Sequence, residues 1–561
     1  MLYKPSFSKS AQDILKDRYY WKDSDGNPAE TAEQMLLRIA NHVAGAEKTE
    51  TLRTKWADEY YNEMAQLNFL PNSPTIMNAG RPAPHGQLAA CFVIGIEDTM
   101  DGICEALRKQ MLIHKSGGGT GFNFSKLRYE GARVNSTNGR ASGPISFMSL
   151  FDKATDTVQQ GGMRRGANMG ILNIDHHDIR KFIHCKDADG VITNFNISVG
   201  MSDEFMQKAT ANPDGEEAAL LAEIAESAWR TGDPGILFMD AINRDNPTPN
   251  LGPLECTNPC GESPLYANEA CNLGSINLAK MVKNGAFDYA ALRRVTAVAT
   301  RFLDSVIDVN QYPLPEISES VRKTRKIGLG IMGWADTLFQ LRVAYDSDEA
   351  RALADKIMGT IHEEAIRVSE ALGAEKGIPA DLKHLNRRNA TLTCIAPTGT
   401  IALLADASSG IEPLFALEHT RLRTLTDGTK VSMKQKNRYY EEAINEGLSE
   451  EELKKVFVTS HDVAPSGHIK MQGIFQKHVD LAVSKTINLV NSATVQDVLD
   501  SYVLAWKEGC KGITVYRDGS KSFQVLYTDA KKAEADRQRT SAEKVPVPAG
   551  KPSLKLKLKK A

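Results

Sequence analysis

Two kinds of apolar pattern divide the chain. Residues 32–46 and 52–67 place apolar side chains every three or four positions, which predicts two amphipathic helices. The cluster Pro71-Asn72-Ser73-Pro74 then interrupts the helical pattern. We therefore expect a helical N-terminal region over residues 1–90.

Short apolar runs alternate with longer helix-like stretches from about residue 90 to residue 525. The helix-like stretches include residues 288–309 and 347–372. This alternation is typical of α/β proteins whose strands form a parallel sheet or a barrel. The short runs that predict strands are Cys91–Ile96, Gly170–Ile174, Asn194–Val199, Ile327–Ile331 and Thr393–Ile395.

The end of the chain has a different composition. Beyond Val525, Lys, Ala, Glu, Arg and Pro dominate, and residues 553–560 repeat Leu and Lys. That composition predicts a flexible basic tail over residues 527–561. No repeat of fixed period is visible, which argues against a solenoid or a propeller.

Composition and charge exclude several functional classes. The chain has 561 residues, of which 42% are hydrophobic and 25% charged, enough for a large buried core. Its net charge of −2 gives no sign of a nucleic-acid or membrane surface. The first residues lack the order of a signal peptide, so the cytoplasm is the expected compartment. The eight cysteines are too sparse for a secreted disulfide scaffold.

One segment combines three chemical functions at close spacing. In Thr257-Asn258-Pro259-Cys260-Gly261-Glu262, an amide, a thiol and a carboxylate alternate with other residues. In an extended chain these three side chains point the same way. Pro259 and Gly261 both weaken a strand, so we expect a loop or finger that enters a barrel.

Other interpretations of these cysteines stay open on spacing alone. Cys256, Cys260 and Cys271 could be three ligands of a zinc site, although no further Cys or His follows Cys271 closely. They could also be incidental cysteines around a turn. Thiol chemistry is the third interpretation.

A second segment suits a phosphate. Residues 396–400 (Ala-Pro-Thr-Gly-Thr) lie between the predicted strand Thr393–Ile395 and a helix-like stretch. Free N–H groups at a helix start, a glycine and threonine hydroxyls can hold a phosphate. This strand-turn-helix order is also common in α/β proteins without a phosphate site.

Many segments, taken in order, resemble the ribonucleotide reductases, and among these the adenosylcobalamin-dependent class II enzymes. The resemblance runs from about residue 7 to about residue 526. It implies a ten-stranded α/β barrel of two parallel half-barrels around a central finger loop, over residues 91–526. The segments that carry it are PNSPTIMNAG (71–80), AACFV (89–93), KSGGGTGFNFSKLR (115–128), GRASGPISFM (139–148), GGMRRGANMGILN (161–173), NPCGE (258–262), EACNLGSINL (269–278), KIGLGIMGWAD (326–336), APTGTIALLAD (396–406), SSGIEP (408–413) and KGITVYRDGS (511–520).

The resemblance implies a role for each residue of the active site. Cys260 matches the cysteine whose thiyl radical takes the ribose 3′-hydrogen, Glu262 the base for the 3′-hydroxyl, and Asn258 the amide that orients the ribose hydroxyls. Cys91 and Cys271 match the pair that supplies two electrons and ends as a disulfide. Cys104, Cys185, Cys256, Cys394 and Cys510 match no catalytic position.

The resemblance also implies two nucleotide sites. One holds the phosphates of a ribonucleoside di- or triphosphate substrate, and the other, within about residues 96–170, holds a deoxynucleoside triphosphate effector. The loop 161–168 would carry the effector's identity to the substrate base. The substrate set is Ser73, Thr75, Ala90, Pro397, Thr398, Gly399 and Thr400, and the effector set is Asp98, Lys115, Arg128, Ser136, Arg164 and Arg165.

The radical source separates the classes of this family. Class I enzymes use two adjacent tyrosines near the barrel's end, where this chain has Val515-Tyr516-Arg517. A glycyl-radical motif and a cysteine-rich zinc site, both expected for class III, are not seen. Adenosylcobalamin is therefore the expected cofactor, with no metal site built by the protein. The alternatives are a class I-like large subunit fed by a partner, or a non-catalytic nucleotide-binding relative.

The family pattern sets three further expectations. The effector site of related enzymes lies against the partner subunit, so we expect a homodimer. No ATP cone precedes the matching region, so we expect no overall on/off control by ATP and dATP. No cysteine follows Cys510, so a thioredoxin- or glutaredoxin-type reductant, or a tail from another polypeptide, is expected to restore the thiols.

Overall fold

The computed structural model describes residues 2–81, 86–135, 138–158, 166–188, 190–424 and 430–520, with the backbone alone for residues 419–424 and 430–435. The tail predicted over residues 527–561 lies outside this part of the chain. Among the described helices, none is both long and apolar enough to cross a membrane.

The helices begin at the positions that the apolar spacing predicts. The helices predicted at residues 32–46 and 52–67 are α2 and α3, and that at 288–309 is α11. A five-residue π-helical turn, Leu15–Tyr19, continues α1. The α-helices are α1 Lys9–Ile14, α2 Ala32–Ala44, α3 Glu50–Ala65, α4 Ser73–Asn78, α5 Met100–Lys115, α6 Gly143–Thr157, α7 Ile179–Ile183, α8 Asp203–Ala211, α9 Glu216–Thr231, α10 Met239–Arg244, α11 Tyr289–Val309, α12 Pro315–Thr324, α13 Trp334–Leu341, α14 Asp348–Lys376, α15 Gly399–Leu404, α16 Arg438–Asn445, α17 Glu450–Val456, α18 Pro465–Gln476 and α19 Val495–Lys507.

The cluster Pro71-Asn72-Ser73-Pro74 ends the helical apolar pattern of the N-terminal region and also starts a new helix, α4. The side chain of Asn72 accepts a hydrogen bond from the backbone N–H of Thr75 and caps α4. Pro74 lies in the first turn, where its missing N–H costs no intrahelical bond. The turn therefore presents Ser73 at the start of a short, firmly capped helix.

The strands form one large sheet and four two-stranded ribbons. The runs predicted at residues 91–96, 170–174, 194–199 and 327–331 contribute strands to the large sheet, whereas Thr393–Ile395 makes only isolated bridges. The strands are β1 Phe69–Pro71, β2 Cys91–Val93, β3 Gly119–Asn123, β4 Arg133–Val134, β5 Gly139–Arg140, β6 Asn168–Asn173, β7 Phe195–Met201, β8 Gly235–Phe238, β9 Cys256–Thr257, β10 Pro264–Leu265, β11 Glu269–Asn277, β12 Val282–Lys283, β13 Ala286–Phe287, β14 Ile327–Met332, β15 Glu418–Thr424, β16 Lys430–Lys436, β17 Thr486–Leu489 and β18 Gly512–Arg517.

Two parallel halves make up the large sheet apart from β1, which pairs antiparallel with β11. Strands β2, β3, β6, β7 and β8 run parallel to one another, and β11 runs parallel to β14 while β17 runs parallel to β18. The halves meet in antiparallel fashion, at β2 with β11 and at β8 with β18. This arrangement confirms the predicted architecture of two parallel half-barrels.

Single bridges connect the remaining edges of the sheet. Thr393 pairs with Leu329 of β14, and Ile395 pairs with Val483, just before β17. Backbone bonds from Leu481 N to Thr393 O (3.1 Å) and from Ser484 N to Ile395 O (2.8 Å) follow the same line. The segments at 393–395 and 481–489 thus join β14 to β18, and the strands surround a central space.

The helical N-terminal region docks on α11 outside the sheet. Tyr60 of α3 and Phe69 of β1 both pack edge-on against Phe302 of α11, with ring centroids 5.0 and 5.4 Å apart. Arg301 of the same helix forms a buried ion pair with Glu47 at 2.7 Å. Helix α11 is therefore the wall shared by the N-terminal helices and the sheet.

A buried charge network ties α11 to the strands behind it. The side chain of Asp304 is fully buried and accepts from Arg325 Nη2 at 2.8 Å, Arg388 Nε at 3.0 Å and Asn389 Nδ2 at 3.0 Å. Burial opposes ionisation of this carboxyl, yet the two arginines hold its pKa below the usual range. The network stays charged because each group is paired and hydrogen-bonded.

We predict that Asp304→Ala lowers the free energy of unfolding by about 3–5 kcal/mol, because two buried arginines lose their fully buried carboxylate and keep only the more exposed Asp308. Denaturant titration of the variant measures this loss. The matched control is Glu363→Ala, which breaks the exposed 3.2 Å pair with Arg293 and costs below about 1 kcal/mol. Equal losses in the two variants would contradict the assignment.

Candidate active site

A finger loop enters the space inside the sheet. Its base is the pairing of β9 with β10, where Thr257 lies opposite Pro264. Two glycines of β3 allow it to pass: a Cβ on Gly121 would lie 1.7 Å from Thr257 O, and one on Gly119 would lie 2.9 Å from Pro259 Cγ. Side chains at these two positions would push the loop out of the barrel.

The tip of the finger is a turn, which differs from the extended segment that the alternation predicts. Gly261 N donates to Asn258 O at 3.0 Å, and Gly261 has φ +82°. A turn is needed because the chain must reverse within the barrel. Asn258, Cys260 and Glu262 still line one cavity, although through this turn and not through strand alternation.

Polar contacts hold the finger on several sides. Asn196 Nδ2 donates to Pro259 O at 2.8 Å, and Ala482 N donates to Glu262 O at 2.9 Å. Asn258 Oδ1 accepts from Ser263 N at 2.9 Å, which fixes the direction of its amide. The amide Nδ2 then lies 3.1 Å from Cys91 Sγ.

Cys91 and Cys271 lie directly opposite each other on neighbouring antiparallel strands, β2 and β11. Opposite residues of such a pair have Cα atoms about 4.5–5.5 Å apart, within the range that a disulfide spans. Cys91 Sγ also lies 3.9 Å from Glu262 Oε1. The structure thus places Cys91 and Cys271, which are 180 residues apart in the chain, beside the 258–262 motif.

Cys394 lies in the same buried group, although no motif in the sequence singles it out. Its Sγ donates to Glu262 O at 3.6 Å, and Ser263 faces both Cys394 and Cys91. The apolar segment that contains Cys394 is only three residues long, too short for its pattern to predict whether the Cys394 side chain points into or out of the barrel. Its position becomes clear only through the barrel.

The buried cysteines are held as neutral thiols. Burial raises the pKa of the Cys91 thiol well above its ordinary value, and the neighbouring Glu262 carboxylate and Cys271 raise it further. Burial likewise raises the pKa of Cys271 and of Cys394. Thiols in this state retain protons to donate.

Two cavities meet at Cys260. The cavity that we call the first has a volume of about 300 Å³. It is lined by the finger, Cys91, the Asn72–Pro74 turn and the 396–401 segment. The second cavity, about 520 Å³, is lined by β7, β8, the 483–488 segment and β18. Cys260 is solvent-exposed and lines both cavities. Its thiol therefore lies inside the barrel, not on the outer surface.

The predicted phosphate segment forms one wall of the first cavity. Thr398 has φ +56°, a strained conformation for a threonine, and its hydroxyl accepts from Gly410 N at 2.8 Å. A Cβ on Gly399 would meet no atom within 4 Å, so the backbone there is open to the cavity. Ser73 and Ala90 line the cavity with it, whereas Thr75 does not and bonds Asn72 and Leu88.

The predicted effector residues are only partly brought together. Arg128 Nε bonds Asp98 Oδ2 at 2.7 Å, and Lys115 is the last residue of α5. Ser136, Arg164 and Arg165 lie outside the described residues. The end of the loop 161–168 is described: Ala167 lines the first cavity, and His114 of α5 packs against Gly166.

The zinc interpretation of Cys256, Cys260 and Cys271 finds no support in the geometry. Across the described residues, no group of three or more Cys, His, Asp or Glu could hold a metal ion. Cys256 is buried beside Gly121, and Cys260 lies at the far end of the finger. The remaining cysteines are spread among buried Cys510, half-buried Cys185 and exposed Cys104.

Comparison with known proteins agrees with this geometry. The ribonucleotide reductase barrel domain matches residues 89–218, 215–384 and 380–516, and the ribonucleotide reductase all-alpha domain matches residues 5–84. The chain belongs to the ribonucleotide reductase family. A Thermoplasma acidophilum relative, named vitamin B12-dependent ribonucleoside-diphosphate reductase, is 42% identical over 92% of this chain and 80% of its own.

Two further members extend the comparison. A Mycobacterium tuberculosis protein of the same name is 43% identical over 94% of this chain and 82% of its own length. The solved class Id ribonucleotide reductase alpha subunit of Actinobacillus ureae superimposes with a TM-score of 0.78, covering 92% of this chain and 99% of that one, at 24% identity. That likeness supports the reductase fold.

We predict that mild oxidation of the reduced chain with diamide joins Cys91 to Cys271, because the two residues lie opposite each other across two strands. Peptide mass mapping identifies the bond, and buried Cys510 should remain a free thiol. The control Cys271→Ser should form no bond to Cys91. Recovery of a Cys271–Cys394 disulfide in its place would contradict the pairing.

Proposed function

We propose that this chain reduces ribonucleotides to 2′-deoxyribonucleotides by a thiyl-radical mechanism, with adenosylcobalamin as the radical source. The observation that carries the proposal is the position of Cys260. Its thiol lies between two cavities, and the carboxylate of Glu262, the amide of Asn258 and the thiol of Cys91 line only the first. Cys271 lies directly opposite Cys91 on the neighbouring strand. The relatives named vitamin B12-dependent support the choice of cofactor.

The residues of the finger divide the first steps among them. Cys260, as a thiyl radical, takes the hydrogen atom from the ribose 3′-carbon and returns it at the end. Glu262 accepts the proton of the 3′-hydroxyl, since a carboxylate is a suitable general base at neutral pH. Asn258 both donates and accepts, so it can orient the ribose hydroxyls.

Cys91 and Cys271 supply the two electrons of the reduction. Replacing a ribose C–OH by C–H releases water, so two thiols give up two hydrogens and become one disulfide. Their raised pKa keeps both as thiols, and Cys91 beside Glu262 is suited to protonate the departing 2′-hydroxyl. A dithiol of the thioredoxin or glutaredoxin type then restores the pair.

The second cavity fits the adenosyl part of the proposed cofactor. Its volume of about 520 Å³ lies within the range of cofactor sites. Apolar Ile197 and Phe415 line it together with Asn196, Ser198 and Asn488, whose polar groups can bind a nucleoside. When bound, adenosylcobalamin supplies the one-electron oxidant for the Cys260 thiol.

The class I-like alternative needs a chain of redox-active side chains from a partner. On β18, the second cavity is lined by Val515 and Tyr516, which do not form an adjacent tyrosine pair. Titration of the isolated chain with adenosylcobalamin, followed by its visible spectrum and by turnover, separates the two. Turnover that requires a second protein and no cobalamin would refute the proposed cofactor.

The proposed substrate is a ribonucleoside diphosphate. The first cavity extends from Glu262 to the backbone of Pro397–Thr400, which can hold phosphates through N–H groups and hydroxyls. The names of the Thermoplasma and Mycobacterium relatives point to the diphosphate. Ser73 and Ala90 complete this wall.

Effector control is proposed for α5 and the loop that follows α6. Gln110 of α5 bonds Thr155 of α6 and Asn168 of β6, each at 2.8 Å, and Asn168 Nδ2 bonds Thr155 at 2.9 Å. These bonds join both ends of the 158–168 connection to α5. A deoxynucleoside triphosphate near Asp98, Lys115, Arg128 and Ser136 would thereby influence the wall of the first cavity, with Arg164 and Arg165 on the connecting loop.

A homodimer is proposed through α5 and α6. Helix α5 leaves Met100, 63% exposed, and Met111, 39% exposed, on one stripe with half-buried Leu107. Helix α6 leaves Leu150, 47% exposed, beside half-buried Phe147. Two copies that pair these stripes would bury both apolar surfaces and bring each effector region against the partner.

The proposed division of the chain follows the same functions. Residues 1–90 form the helical N-terminal region, residues 91–526 the catalytic barrel with effector binding at about 96–170, and residues 527–561 the basic tail. The family matches at 5–84 and 89–516 support the first boundary. We propose a cytoplasmic location.

We predict that Cys260→Ala and Cys260→Ser abolish reduction and leave nucleotide binding within about twofold, since the side chain carries hydrogen and holds no phosphate. Product assays with adenosylcobalamin and dithiothreitol, together with calorimetry of nucleotide binding, measure both. Cys510→Ser, buried away from the cavities, is the control and should keep activity. Retained turnover in a Cys260 variant would refute the proposed mechanism.

We predict that Met111→Glu converts the dimer to a monomer and abolishes the response to effector, because a buried charge opposes burial of the α5 stripe. Light scattering at several concentrations measures the assembly. The control Ile444→Glu, exposed on α16 away from the stripes, should stay dimeric. A monomeric wild-type chain with full effector response would refute the dimer.

A further inference from the structure

The first cavity is lined by a positively charged side chain, which belongs to a segment outside the barrel. Among the residues described along its wall, Arg18 is the one positively charged side chain and Glu262 the one carboxylate. Arg18 lies on the π-helical turn Leu15–Tyr19, before the first barrel strand. Such turns are rare, and they occur frequently at functional sites.

The turn that carries Arg18 is held firmly against the cavity. Tyr19, which is buried, shares a hydrogen bond of 2.8 Å between its hydroxyl and Ser73 Oγ. Arg81 Nη2 donates to Tyr19 O at 2.7 Å, and Ser8 Oγ at the start of α1 donates to Asp406 Oδ1, beyond α15, at 2.8 Å. The turn is therefore tied to α4 through Tyr19 and Ser73, and the start of the preceding helix α1 is tied to Asp406, just beyond α15.

Arg18 is placed to take a ligand at the mouth of the cavity. Its side chain is 54% exposed, whereas Asn258 and Glu262 at the inner end are each 2% exposed. Its nearby carboxylate, Asp17, lies 3.7 Å away and is itself 76% exposed, which makes a weak, water-screened pair. A phosphate could replace Asp17 as the partner of Arg18 at little cost in free energy.

Asn72 provides an independent sign of a ligand. Its Oδ1 accepts from Thr75 N at 3.0 Å and from Thr75 Oγ1 at 2.8 Å, so its Nδ2 faces another direction. That Nδ2 is buried and has no hydrogen-bond partner among the described residues, although Asn72 is only 7% exposed and lines the first cavity. A buried donor without an acceptor is costly, and a bound oxygen ligand would satisfy it.

We infer that Arg18 and Asn72 bind the terminal phosphate of a nucleoside diphosphate, so that the N-terminal helical region completes the substrate site. This inference rests on the proposed function. With the ribose at Asn258 and Glu262, the phosphates point toward Ser73 and Gly399, and the outermost phosphate reaches the turn of Arg18. A guanidinium and an amide N–H are suitable donors to its oxygens.

Two variants and a control test this inference. Arg18→Ala removes the cation, and Asn72→Asp keeps the oxygen that caps α4 while replacing the unpaired donor by a carboxylate oxygen. Lys16→Ala removes an exposed charge from the same turn without touching the cavity. Thermal unfolding of all three shows that they fold as the wild type does.

Each cavity variant should raise the KM for a ribonucleoside diphosphate about 10–100-fold, since one charge-assisted hydrogen bond is lost. The kcat should change less than about threefold, because the groups around the reacting carbon stay in place. Lys16→Ala should match the wild type. Calorimetry with a ribonucleoside diphosphate and no cofactor should give the same ranking, and the affinity for the unphosphorylated nucleoside should stay constant.

The outcomes separate this inference from the proposed function. A wild-type chain that reduces diphosphates, with unchanged KM and affinity in Arg18→Ala and Asn72→Asp, overturns the assignment of these two residues alone. An equal loss of affinity for the unphosphorylated nucleoside also overturns it, because the effect would then lie in the cavity and not in the phosphate. A wild-type chain that reduces no ribonucleotide overturns the proposed function itself.

Discussion

The whole site depends on the close crossing of the finger over β3. A barrel of this size must fill its interior, and here a loop fills it in place of layered side chains. The loop fits only because Gly119 and Gly121 carry no Cβ where Pro259 and Thr257 pass. As a consequence, Cys260 reaches the centre of the barrel. The two cavities are the parts of the barrel interior that the finger does not fill.

The finger also connects the two halves of the barrel. Asn196 of β7 bonds Pro259, while Ala482 and Cys394 of the other half bond the backbone of Glu262. Cys91 and Cys271 lie at the antiparallel seam between the halves, beside the same carboxylate. The proposed reductant pair therefore lies where two strands from different halves are already in register, so forming a disulfide there would require little backbone movement.

The sequence predicted the elements better than their closure. Apolar spacing located α2, α3 and α11 and the strands β6, β7 and β14, because helix and strand periods are local properties. Strand β11 pairs with β2 up to Cys271 and with β14 from Asn272 onward. No local sequence pattern predicts this change of partner strand. The apolar run at Thr393–Ile395 predicts a strand, but nothing local identifies its bridge partners Leu329 and Val483.

In the site too, local sequence patterns predict some features, while others depend on contacts between residues far apart in the chain. The motif at 258–262 revealed its three functional groups and its Pro and Gly predicted a loop, although the turn at Gly261 had no signal of its own. Arg18, on an exposed helical turn, and Asn72, in a cluster typical of loop breaks, gave no sign of a shared cavity. Contacts such as Tyr19 with Ser73 bring them there, across a separation that no motif spans.

The anchoring of the finger determines how Cys260 can serve two cavities. Hydrogen bonds fix the backbone on either side, at Pro259 O and Glu262 O, and the Asn258–Gly261 turn closes between them. The loop therefore cannot swing from one cavity to the other without losing these bonds. What remains is rotation of the Cys260 side chain about χ1, a motion of one sulfur atom between staggered positions. Under the proposed mechanism, radical generation and ribose chemistry would then stay in separate cavities, with the single thiol of Cys260 passing the hydrogen atom between them.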